Sequence, residues 1–227
     1  MRIGGLQKLT LLDFPGHVAC TVFLQGCNFR CPFCHNASLV LGTDVISEDE
    51  VLRFLKKRQG LLDGVAITGG EPLLSKGLDA LLEKIKALGY RVKLDTNGSF
   101  PDRLRHLIDR QLVDYVAMDI KNSREKYALT AGADGMLPAV EESVSLLLQG
   151  LVPYEFRTTV VDELHEPEDF SAIGRWLFGA QAYFLQAFVD SGNLLGAGMH
   201  AASKKKMELC RAEAAKHLSN VQIRGLS

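Results

Sequence analysis

Six short β-rich runs alternate with six helical patterns along this 227-residue chain, and that alternation constrains the fold more than any other feature. The β-rich runs are residues 17–24, 64–68, 90–95, 115–120, 153–161 and 182–188. The helical patterns cover 47–58, 78–88, 101–110, 138–148, 168–178 and 203–218. Ser47 and Glu50 stand in capping-box spacing at the start of the first helix. Gly89 follows the second as a C′ glycine. A helix between successive strands makes those strands parallel, so the expected class is α/β, one parallel sheet with outer helices. The pattern alone leaves a doubly wound sheet and a partial barrel open, but both gather ligands at the C-terminal ends of the strands. The glycine-rich stretch from Leu129 to Gly135 reads as a loop. No linker, low-complexity segment or repeat divides the chain, so residues 1–227 read as a single domain.

Directly after the first strand comes Gly26-Cys27-Asn28-Phe29-Arg30-Cys31-Pro32-Phe33-Cys34-His35-Asn36. Three thiols at C-x3-C-x2-C in one loop can reach three corners of an iron–sulfur cubane, leaving the fourth iron free to bind another molecule. A structural zinc site would need a second pair of ligands beside Cys31 and Cys34. Cys31-Pro32-Phe33-Cys34-His35 matches the c-type haem attachment pattern, but that reading leaves Cys27 idle and calls for an export signal that is not seen. A thioredoxin-like redox pair also leaves Cys27 unused. Cys20 shares strand parity with Val18, Val22 and Leu24, and Cys210 lies on a stripe with Met207 and Ala214, so both read as core.

Polar residues recur at the strand ends. Thr68-Gly69-Gly70-Glu71-Pro72 ends the second strand; it is either a tight turn or a place where backbone approaches a ligand while Glu71 faces an ammonium group. Asp95-Thr96-Asn97-Gly98 ends the third strand and Asp119, with Lys121, the fourth; Arg157 lies in the fifth and Gln186 in the sixth. Each alone could be a cap or a surface pair. Together they place charge at one rim of the sheet, with Lys121 and Arg157 suited to a carboxylate and Asp95 and Asp119 to a cation.

Composition removes other classes. The net charge of −1 gives no reason to expect nucleic acid, and Lys204-Lys205-Lys206 reads as a solvated helix face. No run approaches the ~20 apolar residues of a membrane span. A cytoplasmic location is the default, where clustered cysteines more often bind metal than form disulfides. His17, His106, His165, His200 and His217 read as structural or surface residues.

C-x3-C-x2-C after a first strand, then Gly69-Gly70-Glu71-Pro72 after a second, resembles the radical S-adenosylmethionine (SAM) superfamily over most of the chain. Cys34-His35-Asn36, Asp13-Phe14-Pro15-Gly16 and Asp95-Thr96-Asn97-Gly98 narrow the resemblance to the glycyl-radical-enzyme activases. Among these it is most similar to the longer form of the anaerobic ribonucleoside-triphosphate reductase activating protein, and more distantly to pyruvate formate-lyase activating enzyme. The resemblance implies a partial (β/α)6 barrel. It implies a [4Fe–4S] cluster on Cys27, Cys31 and Cys34, with SAM chelating the open iron. Reductive cleavage of SAM would give methionine and a 5′-deoxyadenosyl radical, which would take a hydrogen from a glycine of the partner enzyme. Gly69, Gly70 and Glu71 would bind the methionine amino end, and Asn36, Lys121 and Arg157 would hold SAM mainly at its carboxylate. Asp95 and Asp119 match positions for a monovalent cation beside SAM, and Asp13 would lie near the incoming glycine loop. A flavodoxin- or ferredoxin-type protein would supply the electron. Phe14 departs from the pattern, because many activases have glycine there, and no second cysteine cluster lies between Cys34 and Glu71. A radical SAM enzyme acting on a small molecule such as a modified purine precursor is the alternative. An electron-transfer module would leave Gly69-Gly70-Glu71-Pro72 without a purpose.

Overall fold

The computed structural model describes residues 1–34, 37–41, 45–190, 192 and 194–226. Eight strands form one sheet in sequence order: β1 Ile3–Thr10, β2 Ala19–Leu24, β3 Gly64–Gly69, β4 Arg91–Thr96, β5 Tyr115–Asp119, β6 Tyr154–Val160, β7 Tyr183–Ala187 and β8 Val221–Arg224. β1 runs antiparallel to β2, and every later neighbour is parallel. The helices are α1 Ala37–Leu41, α2 Glu48–Arg58, α3 Leu78–Ala87, α4 Pro101–Asp109, α5 Tyr127–Ala131, α6 Leu137–Leu148, α7 Pro167–Trp176 and α8 Lys204–Ala215. β1 and β8 are the two edges, so the barrel is partial. None of the described helices is long and apolar enough to cross a membrane.

Strand parity sorts the chemistry. Val22 and Leu24 of β2, Val65 and Ile67 of β3, Val92 and Leu94 of β4, Val116 and Met118 of β5, and Phe156 of β6 are buried in the apolar core, on the side of the helices. The alternate positions, Thr21, Thr68, Asp95, Asp119, Arg157, Thr159 and Gln186, line a cavity on the other face. The hydrophobic core therefore lies outside the sheet and leaves the concave face to polar groups.

All six sequence-read strands and all six helices are present, displaced at their ends by a few residues at most. The Ser47 hydroxyl accepts from Glu50 N–H at 3.1 Å to start α2, and Gly89, at φ 87°, follows α3. The loop expected from Leu129 to Gly135 needs correction: Leu129–Ala131 form the end of α5, which Gly132 terminates at φ 61°. Cys20 and Cys210 are core, as their parity indicates.

The opposite end of the barrel is closed by the β1–β2 connection. Phe14 is buried against the His17 ring, with centroids 4.4 Å apart, and lies 6.2 Å from the Tyr115 ring. A Cβ at Gly64, the first residue of β3, would come within 2.7 Å of the Phe14 ring. Phe14 is thus a plug beneath the N-terminal ends of the parallel strands.

Candidate active site

The cysteine loop leaves β2 at its C-terminal end, where Leu24 pairs with Gly69 of β3. The Gly-Gly-Glu segment then grips the root of the loop. Gly70 N–H donates to Leu24 C=O at 2.9 Å, and Glu71 N–H donates to Gly26 C=O at 2.8 Å. A Cβ on Gly70 would sit 2.0 Å from the Gly26 carbonyl oxygen; on Gly69, at φ 118°, it would sit 2.2 Å from that of Leu24. Only glycine permits this approach of backbone to backbone.

Two further contacts fix the loop's outer part. Arg30 N–H donates to Ala131 C=O at 3.0 Å, where α5 ends, and a Cβ on Gly132 would meet Arg30 C=O at 2.3 Å. Gly196 N–H donates to Pro32 C=O at 2.8 Å. Between them, Asn28 Nδ2 donates to Ser99 Oγ at 2.9 Å and Asn28 Oδ1 accepts from Asn97 Nδ2 at 3.0 Å. The loop is held from β3, β4, α5 and the segment beyond β7 before any ligand arrives.

Cys27, Cys31 and Cys34 are free thiols that line one cavity of about 310 Å³. Burial pushes the Cys31 thiol up to about 11 and raises that of Cys27, while Lys121 pulls both down. A metal must displace those protons, because the thiolate is the ligand. Among the described residues no three His, Cys, Asp or Glu side chains converge as they would on a single ion. Three thiols that each bind a different iron of a cubane need not converge on one point, so this donor set fits a cluster.

Across the cavity, basic and acidic side chains interlock. Asp119 Oδ2 accepts from Lys121 Nζ at 3.0 Å, and Asp119 Oδ1 accepts from Arg157 Nε at 3.0 Å. Asp95 Oδ2 accepts from Arg157 at 3.3 Å, and Asp95 Oδ1 accepts from the Lys93 ammonium below it. Burial alone would raise Asp119, but Lys121 and Arg157 outweigh it and hold the carboxyl well below its usual range. The same pairs raise Lys121 and Arg157 against their own desolvation. Cation and anion remain charged together.

Glu71 does not take the place expected of it. Its side chain is fully buried and is not part of the cavity wall. Its Oε1 accepts from Leu73 N–H at 3.0 Å and Thr96 Oγ at 2.8 Å, and its Oε2 accepts from Asn97 N–H at 2.7 Å. Glu71 therefore staples the end of β3 to the end of β4, and an ammonium group in the cavity would meet Gly69 and Gly70 instead. Asn36 lies outside the described residues. Asp13 reaches the cavity from the β1–β2 connection and accepts from Thr21 Oγ at 2.5 Å.

Sequence reading missed Phe29, Phe33 and Thr159 on the cavity wall, and Lys93 beneath it. Lys93 and Thr159 carried a usable signal: each stands two residues from an identified inward charge, Asp95 or Arg157, and so shares its face.

A model of the radical SAM superfamily matches residues 21–146. A protein of Methanocaldococcus jannaschii, provisionally named a glycyl-radical enzyme activating enzyme, is 33% identical over 197 residues, 82% of this chain and 79% of its own length. A 7-carboxy-7-deazaguanine synthase of Hyperthermus butylicus is 42% identical over 103 residues, only 44% of this chain and 41% of its own. A crystal structure of a domain of pyruvate-formate lyase-activating enzyme from Bacteroides vulgatus superposes with a TM-score of 0.57 at 15% identity, covering 71% of this chain and 99% of that one. At that identity the likeness is one of fold.

Proposed function

The chain belongs to the radical SAM superfamily, whose members use a [4Fe–4S] cluster and SAM, and from that premise we propose that it is an activase placing a radical on a glycine of a partner enzyme. The observation that carries this reading is the M. jannaschii relative, which matches along 82% of the chain, whereas the deazaguanine synthase matches along 44%. The partner we assign is a glycyl radical enzyme, and among these the anaerobic ribonucleoside-triphosphate reductase. A flavodoxin- or ferredoxin-type protein would supply the electron.

In this reading Cys27, Cys31 and Cys34 hold the cluster, which when bound supplies the electron that cleaves the sulfonium carbon–sulfur bond of SAM. Lys121 and Arg157 face the cavity with their charges fixed by Asp95 and Asp119, and so bind and orient the SAM carboxylate. Asn36 assists at the same group, and Gly69 and Gly70 take the amino end. Glu71 acts one step back, by holding Asn97 and the root of the cysteine loop in register. Asp13 lines the cavity at its closed end, where the tip of a glycine loop inserted from the open rim would meet it. Such a loop would also displace water from around the reacting groups.

The test is anaerobic. Mixing the cluster-loaded protein with SAM, reductant and the reductase should give a glycyl radical signal by electron paramagnetic resonance. SAM cleavage without that signal, and stimulated instead by a purine-like metabolite, would move the assignment to a small-molecule enzyme.

A further inference from the structure

The notion of a dissociable cation beside SAM rests on Asp95 and Asp119 having oxygens to offer. They have none. Asp95 Oδ1 faces Lys93 Nζ and Asp95 Oδ2 faces Arg157 at 3.3 Å. Asp119 Oδ1 faces Arg157 at 2.9 Å and Asp119 Oδ2 faces Lys121 at 3.0 Å. Three basic side chains therefore surround two carboxylates, a surplus of one positive charge. Glu155, the next inward residue of β6, adds no free charge, because Arg224 binds it at 2.8 and 2.9 Å. A further cation binding at Asp95 and Asp119 would have to compete with a basic group already in place at each of their oxygens.

Lys93 is what differs from a site waiting for an ion. It lies on the inward face of β4, two residues before Asp95, with its side chain 2% exposed and beneath the cavity instead of on its wall. Burying an ammonium is costly unless it is paired, so its position is itself a commitment to Asp95.

We propose that Lys93 is a resident cation that replaces a dissociable monovalent ion at Asp95 and Asp119. It thereby leaves the charge of Lys121 and Arg157 available to an incoming carboxylate. The second half of this inference rests on the reading that the SAM carboxylate docks at Lys121 and Arg157. Lys93 is a positioning residue: it acts through Asp95 on Arg157.

SAM binding by the cluster-loaded protein, measured by anaerobic calorimetry in potassium chloride and in choline chloride at equal ionic strength, should not differ. Lys93→Met should bind SAM about tenfold or more weakly in choline, as expected when one partner of a buried pair is removed, and potassium or sodium should restore it. Tighter binding by the wild type in potassium overturns the proposal, and so does a Lys93→Met defect that neither ion relieves. Crystals soaked in thallium(I) give an answer independent of SAM: anomalous density beside Asp95 in the wild type overturns the proposal, and density there only in Lys93→Met supports it. A wild type that binds no SAM in either salt defeats the docking reading, while the thallium density still decides the role of Lys93.

Discussion

At the scale of single residues, the Gly-Gly-Glu segment is a structural device first and a ligand contact second. Gly70 shows this most directly: Gly70→Ala places a methyl group 2.0 Å from the Gly26 carbonyl, and backbone cannot give way as a side chain can. The expected result is a displaced cysteine loop, a fall in iron retained after reconstitution, and a stability loss of about 1–3 kcal/mol by chemical unfolding. Glu71 makes a prediction about pH. Burial pushes its carboxyl from 4.5 up to about 7, against the pull of donors from Asn97, Leu73 and Thr96. An acid whose folded value is raised contributes stability that is fully present below its unfolded value and is lost as pH rises through the folded one. The advantage of the wild type over Glu71→Gln should therefore shrink by about 3 kcal/mol between the two values. Urea unfolding of both proteins at the two ends of that window measures it, and an advantage that grows with pH would contradict the assignment.

At the scale of elements, the six parallel strands and their helices were legible because alternation and capping residues are local signals. The two edge strands were not. β1 begins Ile3-Gly4-Gly5 and has register shifts on both sides of Gly5–Gln7, so it shows no clean alternation of buried and exposed residues. β8 has four residues, too few to establish a period, and none is fully buried. Besides its ladder with β7, a tertiary pair anchors β8: Arg224 binds Glu155 through two hydrogen bonds and lies 3.3 Å from the centroid of the Phe184 ring. Tyr115 adds a third hydrogen bond to Glu155 at 3.0 Å. Arg224→Leu would leave the Glu155 carboxylate buried without its cation, at a cost of about 3 kcal/mol, while adding Glu155→Leu should recover much of the loss. A double-mutant cycle by chemical denaturation reads this coupling; additive losses would mean that the pair contributes nothing beyond the β7–β8 ladder and packing.

At the scale of the whole molecule, the arrangement separates stability from chemistry. The apolar core lies between sheet and helices, so the concave face is free to carry charges that a filled barrel would exclude. The rule that ligands gather at strand ends located Asp95, Asp119, Lys121, Arg157 and the cysteine loop from sequence, and these do line one cavity. Residues whose importance depends on what lies opposite them were hidden. Glu71 reads as a ligand until Thr96 and Asn97 are seen to occupy it. Phe14 reads as a departure from a family pattern until Gly64 and Tyr115 are seen around it. Lys93 reads as one more charged residue in a strand until its burial beside Asp95 is known.

One anaerobic assay tests most directly whether Cys27, Cys31 and Cys34 carry a cluster that cleaves SAM in this cavity. The protein is reconstituted with iron and sulfide, reduced, given SAM, and assayed for 5′-deoxyadenosine beside Cys31→Ala treated in the same way. The native protein should give product, and Cys31→Ala none above background. A reducible cluster whose spectrum is unchanged by SAM, with no 5′-deoxyadenosine formed, would contradict SAM cleavage here and leave an electron-transfer protein.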